Sequence, residues 1–327
     1  MIKFFRYSYY IQYLALLVLA LLLWLPSFMV LPSALSAPTG VTPLYDLIAV
    51  YLAPRPLLSQ IIAFLLFVVE AFFFNEIMVV GKTEPKVSTM GGFAFVMLMA
   101  LTPVQTTFSP ALLASAFILP ILYLLYKIPS LHKVETDLLN IGILLALASI
   151  CYFYSALLLI WIMFALAVQK SKSVRYQLIP IIGFLLPYLF FFAIHFIKGD
   201  LIETANAYSG FFSSFGLSVD GFSVFSLVTF AVVVLLSFLP LGSNSLFAQE
   251  RLVDVRQNIS IASLMFMFTL VMIVLEGSIF ECGLAFLALS VHNSYSLSHV
   301  AKTKWPELIL DLVVLAVFAI HYIPIFV

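Results

Sequence analysis

The sequence predicts an all-α, polytopic membrane helix bundle of about eleven transmembrane helices, forming a single integral membrane domain over residues 1–327. Three observations predict it. Of the 327 residues, 64% are hydrophobic and 9% charged, with a mean hydropathy of +1.18, whereas a soluble domain carries about 25% charged residues. Apolar runs approaching the roughly 20 residues that cross a ~30 Å hydrocarbon core recur along the whole chain. Basic residues fall asymmetrically between alternate loops, as in membrane proteins of fixed orientation.

The first run, Ile11–Leu31, follows Lys3 and Arg6. It exceeds the 7–15 apolar residues of a secretory signal, and Pro38 after Ala37 is a poor cleavage context, so an uncleaved first span is expected. Further spans are expected at about 57–78, 91–103, 111–128, 138–153, 155–169, 178–198, 223–242, 260–275, 281–297 and 308–327. Two of these, 91–103 and 155–169, are short and must extend into their flanks or lie tilted and shielded by neighbours. With the N-terminus cytoplasmic, only Arg55 and Lys198 of the 15 basic residues fall outside. One span more or fewer would reverse every later loop, so this agreement also puts the C-terminus outside the cell membrane. Glycine is scarce, at 13 residues, and packing must rely on leucine and 33 phenylalanines rather than on close small-residue crossings.

Several function classes are excluded or unsupported. Fifteen basic and fifteen acidic residues cancel, giving no reason to expect nucleic acid. Cys151 and Cys282 form neither a disulfide framework nor a metal-binding pair. No GxGxxG, Walker, HExxH or GxSxG pattern occurs, and no cofactor is assigned.

Four constellations stand out against this apolar background. In "FLLFVVEAFFFNEIMVVGKTEPK" (Phe64–Lys86), Glu70 falls in the inner half of the bilayer, about 20 Å from Leu57 at 1.5 Å per residue. Its neighbours at three and four positions, Leu66, Phe67, Phe73 and Phe74, cannot pair with it. Glu70 is therefore expected either to bond a hydroxyl or carbonyl of another helix or to carry protons or substrate. Asn75 and Glu76 are expected to be ordinary interfacial residues. In "SVHNSYSLSHVAKTKW" (Ser290–Trp305), His292, Tyr295, Ser296 and His299 share one helical face, and Asp311 lies one turn into the last span. This stripe offers either a proton pathway or a polar packing face.

The third constellation is the outer surface, where Asp46, Asp200, Glu203, Asp220, Glu276 and Glu281 outnumber Arg55 and Lys198. Such a face suits a cation, a divalent metal or a carboxylate base. "VTPLYDLIAVYLAPRP" (Val41–Pro56) is expected to be a short surface helix with the apolar stripe Leu44, Leu47, Ile48 and Tyr51. Asp46 on it is either a catalytic base or a solvated helix-end charge. The fourth is the hairpin "LTPVQTTFSPALLAS" (Leu101–Ser115), in which Ser109 is expected to cap a helix opened by Pro110.

The run "YFYSALLLIWIMFALAVQKSKSVRYQLIPIIGFLLPYLFFF" (Tyr152–Phe192), with Arg175, Pro180, Gly183 and Pro187, resembles a Bacteroidota family of integral membrane proteins, as do "FFFNEIMV" and the Thr-Pro hairpin. The likeness covers most of the chain and implies a multi-pass protein of a bacterial inner (cytoplasmic) membrane. A weaker architectural similarity links the chain to glycosyltransferases that use polyprenyl-linked sugars, whose outer-loop acidic base would here be Asp46. This chain lacks their DxD or ED pair and an arginine cluster for the lipid phosphate. Three readings stay open: an envelope-biogenesis enzyme handling a lipid-linked glycan at the outer leaflet, a transporter or flippase using Glu70 and the His292–His299 stripe, and a non-catalytic subunit of an envelope complex. The partners expected are membrane lipids, with a polyprenyl-linked substrate or other envelope proteins.

Overall fold

The computed structural model describes residues 2–6, 10–31, 42–84, 88–101, 105–128, 134–169, 174–199, eight positions between 201 and 235, and residues 253–276, 283–299 and 304–326. The expected span 223–242 lies almost entirely outside the described residues, as do Asp200, Glu203, Asp220 and Glu281. Among the described residues the fold is helical and has no strand. A helical turn α1 (Ile2–Phe5) is followed by α2 (Tyr10–Met29), α3 (Pro43–Leu52), α4 (Pro56–Val80), α5 (Met90–Met99) and α6 (Pro110–Lys127). Then come α7 (Glu135–Cys151), a 3₁₀ turn (Phe153–Leu157), α8 (Leu158–Val168), α9 (Val174–Lys198), α10 (Val253–Glu276), α11 (Gly283–His299) and α12 (Lys304–Phe326).

Proline sets several of the starts. Pro43, Pro56 and Pro110 each open a helix, where a missing N–H costs nothing. The expected cap is present: Ser109 Oγ accepts from the Leu112 amide at 3.2 Å. On α3 the buried side chains are Tyr45, Ala49 and Leu52, while Leu47 and Tyr51 are exposed. The apolar stripe is thus split, because the bulk of Tyr45 stacks on Phe108 and turns the helix by its own face.

Among the described residues, six helices are long and apolar enough to cross a membrane: Tyr10–Met29, Pro56–Val80, Pro110–Lys127, Val174–Lys198, Val253–Leu275 and Pro306–Ile323. Helices α5, α7, α8 and α11 occupy four further expected spans but are shorter. The reason is positional for two of them. All ten residues of α5 are buried, as are Gly283–His292 of α11, so neither has to match the thickness of lipid.

These two helices pack antiparallel at the centre. Gly283 lies by Met99, Ser290 by the Ala94 carbonyl, and the far ends meet through the amino-terminal turn. There Arg6 donates to the Leu297 carbonyl (2.9 Å) and Thr89 donates to that of Phe5. Aromatic rings fill the surrounding layer: Phe95 lies against Phe67 and Phe74, Trp24 against Phe67, and Phe5 against Phe93, with centroids 4.6–5.6 Å apart.

Helix α9 is attached differently. Only Pro180 and Gly183 of it are buried, and they press onto Gly142 of α7 so closely that a Cβ on either glycine would meet the other helix's backbone. The Ser149 and Tyr188 hydroxyls bond across the same seam at 2.8 Å. One close small-residue crossing therefore exists despite the scarcity of glycine. Much of the outer side of α9, including Leu185, Leu189 and Phe190, is apolar and exposed among the described residues.

Candidate functional site

Helix α5 positions the chemistry. Ten residues rise about 15 Å, half of a ~30 Å hydrocarbon core. Backbone at its two ends must then find partners inside the protein, because lipid offers none. The structure supplies them from four other helices.

At the amino end, Asn75 of α4 is 2% exposed and makes three contacts. Its Oδ1 accepts from the Gly92 amide (3.2 Å), and its Nδ2 donates to the Ser88 carbonyl (3.1 Å) and towards the Tyr13 hydroxyl (3.4 Å). Asn75 is thus not an interfacial residue but the side chain that ties the start of α5 to α4. Glu76, one position on, is exposed as expected.

At the carboxyl end, His321 Nε2 of α12 donates to the Ala100 carbonyl at 2.7 Å. The Leu101 amide donates to Gln105 Oε1 (3.1 Å), and Gln60 of α4 donates to the Thr106 carbonyl (2.6 Å). Ser27 of α2 shares a hydrogen bond with Thr106, and Tyr45 of α3 donates to the Phe108 carbonyl. Four helices thereby hold the described non-helical residues 100–101 and 105–109.

Glu70 sits between these two ties on α4, 3% exposed. Its partner comes from another helix, Ser115 of α6, whose Oγ lies 3.0 and 2.9 Å from the two carboxyl oxygens. The same Oγ is 2.6 Å from the Leu112 carbonyl. One hydroxyl proton cannot serve the carbonyl and an ionised carboxylate together. A proton on Glu70 completes the chain from Glu70 to Ser115 to Leu112.

The other expected site residues lie apart. Asp46 is half-buried in the first turn of α3, where its Oδ1 accepts from Thr42 Oγ1 at 3.1 Å and its charge suits the helix dipole. His292 is buried, with Nε2 3.3 Å from Ser263 of α10; Tyr295 packs on Val255 and Ile259 of the same helix. His299 stacks on Tyr295 and its Nδ1 lies 2.9 Å from the Tyr295 carbonyl. The stripe therefore packs on α10. Asp311 is exposed on α12. Among the described residues, no group of three or more His, Cys, Asp or Glu is placed to hold a metal ion.

Sequence reasoning missed Gln60, Asn75, Thr106 and His321 as one system. The available signal was that each is a lone polar residue within or beside an apolar run. Glu84 was missed as well. It lies 5% exposed between α4 and α5, and burial pushes its carboxyl up to about 8, with the Ser88 hydroxyl and Gly91 amide pulling partway back. A carboxyl raised in the folded state holds a proton that the unfolded chain has already lost. Stability is therefore complete below the ordinary carboxyl value of 4.5 and falls as pH rises towards about 8, by about 1.4 kcal/mol per pH unit. Glu84→Gln should remove that slope, checked by thermal midpoints of the purified protein across the same range. An unchanged slope in the variant would assign the pH dependence elsewhere.

Six long apolar helices among the described residues, two of which (α2 and α4) pack on the buried, side-chain-tied α5, define the class: a multi-pass helical membrane protein whose helices contact lipid. Comparison with protein families, curated proteins and solved structures finds no match to this chain.

Proposed function

We propose that the chain is an eleven-span protein of a bacterial inner membrane, N-terminus cytoplasmic and C-terminus outside, that moves a substrate across the bilayer with Glu70 as its proton-bearing group. Its setting is envelope biogenesis, in line with the Bacteroidota resemblance. The observation that carries the transport role is α5: a ten-residue helix buried on every side whose carboxyl end gives way to turn backbone tied by Gln60 and His321. Transporters build substrate sites from short or broken helices, and irregular backbone survives inside a membrane bundle only when protein encloses it. Glu70, on the neighbouring helix and bonded through a hydroxyl that can relay a proton, supplies the titratable group. An enzyme built on Asp46 has less support, since that carboxylate serves its own helix start.

Glu70→Gln tests the proposal. Glutamine copies the size and hydrogen bonding of a neutral carboxyl but cannot release a proton. The variant should accumulate in the membrane at wild-type level and fail to complement a deletion of the gene. Full complementation by Glu70→Gln would reduce Glu70 to a structural hydrogen bond and remove the proton role.

A further inference from the structure

The connection between α4 and α5 carries one acid that the surrounding helices enclose. We propose that Glu84 is a proton-operated latch on the amino end of α5: neutral, it lies closed against the first turn of that helix, and loss of its proton frees the turn. Nothing in this inference depends on the transport role.

The geometry is that of a group shut in. Glu84 is 5% exposed, and neither carboxyl oxygen reaches a hydrogen-bond partner. Lys82 turns the chain with φ +55°, a left-handed conformation uncommon for a residue with a side chain. The amides of Thr83 and Glu84 then both donate to the Met78 carbonyl, at 3.1 and 3.3 Å. This sets the carboxyl against the start of α5, where the Ser88 hydroxyl and the Gly91 amide bear on it. The amides on either side of Gly91 are tied by side chains: Met90 donates to Ser88 Oγ and Gly92 to Asn75 Oδ1, each at 3.2 Å. Glu84 thus stands among the groups that secure the first turn. That turn is a weak one, because Gly91 and Gly92 lose more backbone freedom on ordering than other residues.

Charge decides whether the closed position is tenable. Burying an ionised carboxylate is costly unless a cation or several donors compensate. No cation of the described surrounding elements does so. Lys82 pairs with Asp254 at 2.8 Å, Arg6 of α1 donates to the Leu297 carbonyl, Lys3 faces Glu307, and His299 of α11 lies on the Tyr295 carbonyl. From α2 and α4 come Tyr13 and Glu76, which bring no positive charge. Burial therefore outweighs the Ser88 hydroxyl and the Gly91 amide and pushes the carboxyl up to about 8. Once the group reaches water, its ordinary value of 4.5 returns. Between those two values each pH unit eases opening about tenfold, and the effect ends above about 8.

The test is hydrogen exchange with mass spectrometry on the full chain in nanodiscs, read as protection factors so that the intrinsic pH dependence of exchange is divided out. In wild type, protection at residues 89–93 should fall by up to about tenfold per pH unit from 4.5 towards about 8 and then level off, while residues 283–292 of α11 stay protected. Glu84→Gln, a neutral copy, should keep 89–93 protected at every pH. Infrared titration of Glu70→Gln reads the proton itself, even where Glu84→Gln does not fold. With Glu70 removed, a protonated-carboxyl band should remain and vanish as pH passes about 8. Protection at 89–93 that ignores pH, a slope that survives in Glu84→Gln, an equal loss across 283–292, or the lack of such a band would each overturn the latch.

Discussion

Replacing Gly142 with valine should detach α9 from the bundle and cost at least about 3 kcal/mol, the upper end of overpacking penalties, because the clash is with backbone. A Cβ at position 142 would meet the Pro180 carbonyl oxygen, the Phe184 nitrogen and the Gly183 Cα. None of these can rotate away as a side-chain end would. Beyond the fully buried Pro180 and Gly183, α9 has in reserve only half-buried core contacts, among them Tyr176, Ile179 and Phe184. Helices in lipid associate by close packing rather than by exclusion of water, so separating the backbones removes most of the attraction. The Ser149–Tyr188 hydrogen bond should break with it. Cysteines at 149 and 188 report this directly: they should cross-link in the Gly142 parent and fail to in Gly142→Val. Equal cross-linking and an unchanged thermal midpoint would show that the seam yields without cost.

The second large effect is expected at Asn75. Asn75→Leu keeps the γ-branched shape, though with bulkier methyl groups, and leaves the Gly92 amide and the Ser88 carbonyl unbonded in the interior. Each orphaned buried group costs about 1–3 kcal/mol, so a loss of about 3 kcal/mol is expected. The amino end of α5 should also become labile, visible as faster hydrogen exchange at residues 89–93. Asn75→Asp retains the acceptor for Gly92 but not the donor for Ser88, and should fall between the two. Wild-type exchange in Asn75→Leu would mean that the packing of Gly91 and Gly92 on Met78 and Leu16 holds α5 without the amide.

These two positions also show where sequence reasoning reached its limit. The helix starts at Pro43, Pro56 and Pro110 follow from local chemistry, and so do the Ser109 cap and the apolar stretches. Glu70 was anomalous on its own helix because none of its neighbours could pair with it, and that was enough to require a partner elsewhere. The partner itself, Ser115, stood inside a quoted hairpin 45 residues away with nothing local to mark it. Asn75 was mistaken for an interfacial residue because it lies near Lys82 in the chain. Depth was inferred from distance along the helix, whereas its burial comes from α5 folding back against it.

Composition and hydropathy by themselves determined that this protein is a helical bundle in a membrane, because solvent quality acts on each residue independently of its neighbours. Helix lengths in contact with lipid follow from the same rule. Only the tertiary structure decided which apolar helices are fully buried, that α5 is enclosed on every side, and that Gln60, Asn75, Thr106 and His321 serve its ends. Those outcomes rest on pairings between residues distant in sequence. A backbone carbonyl or amide without water must find a partner, and which side chain provides it depends on three-dimensional proximity that periodicity does not encode.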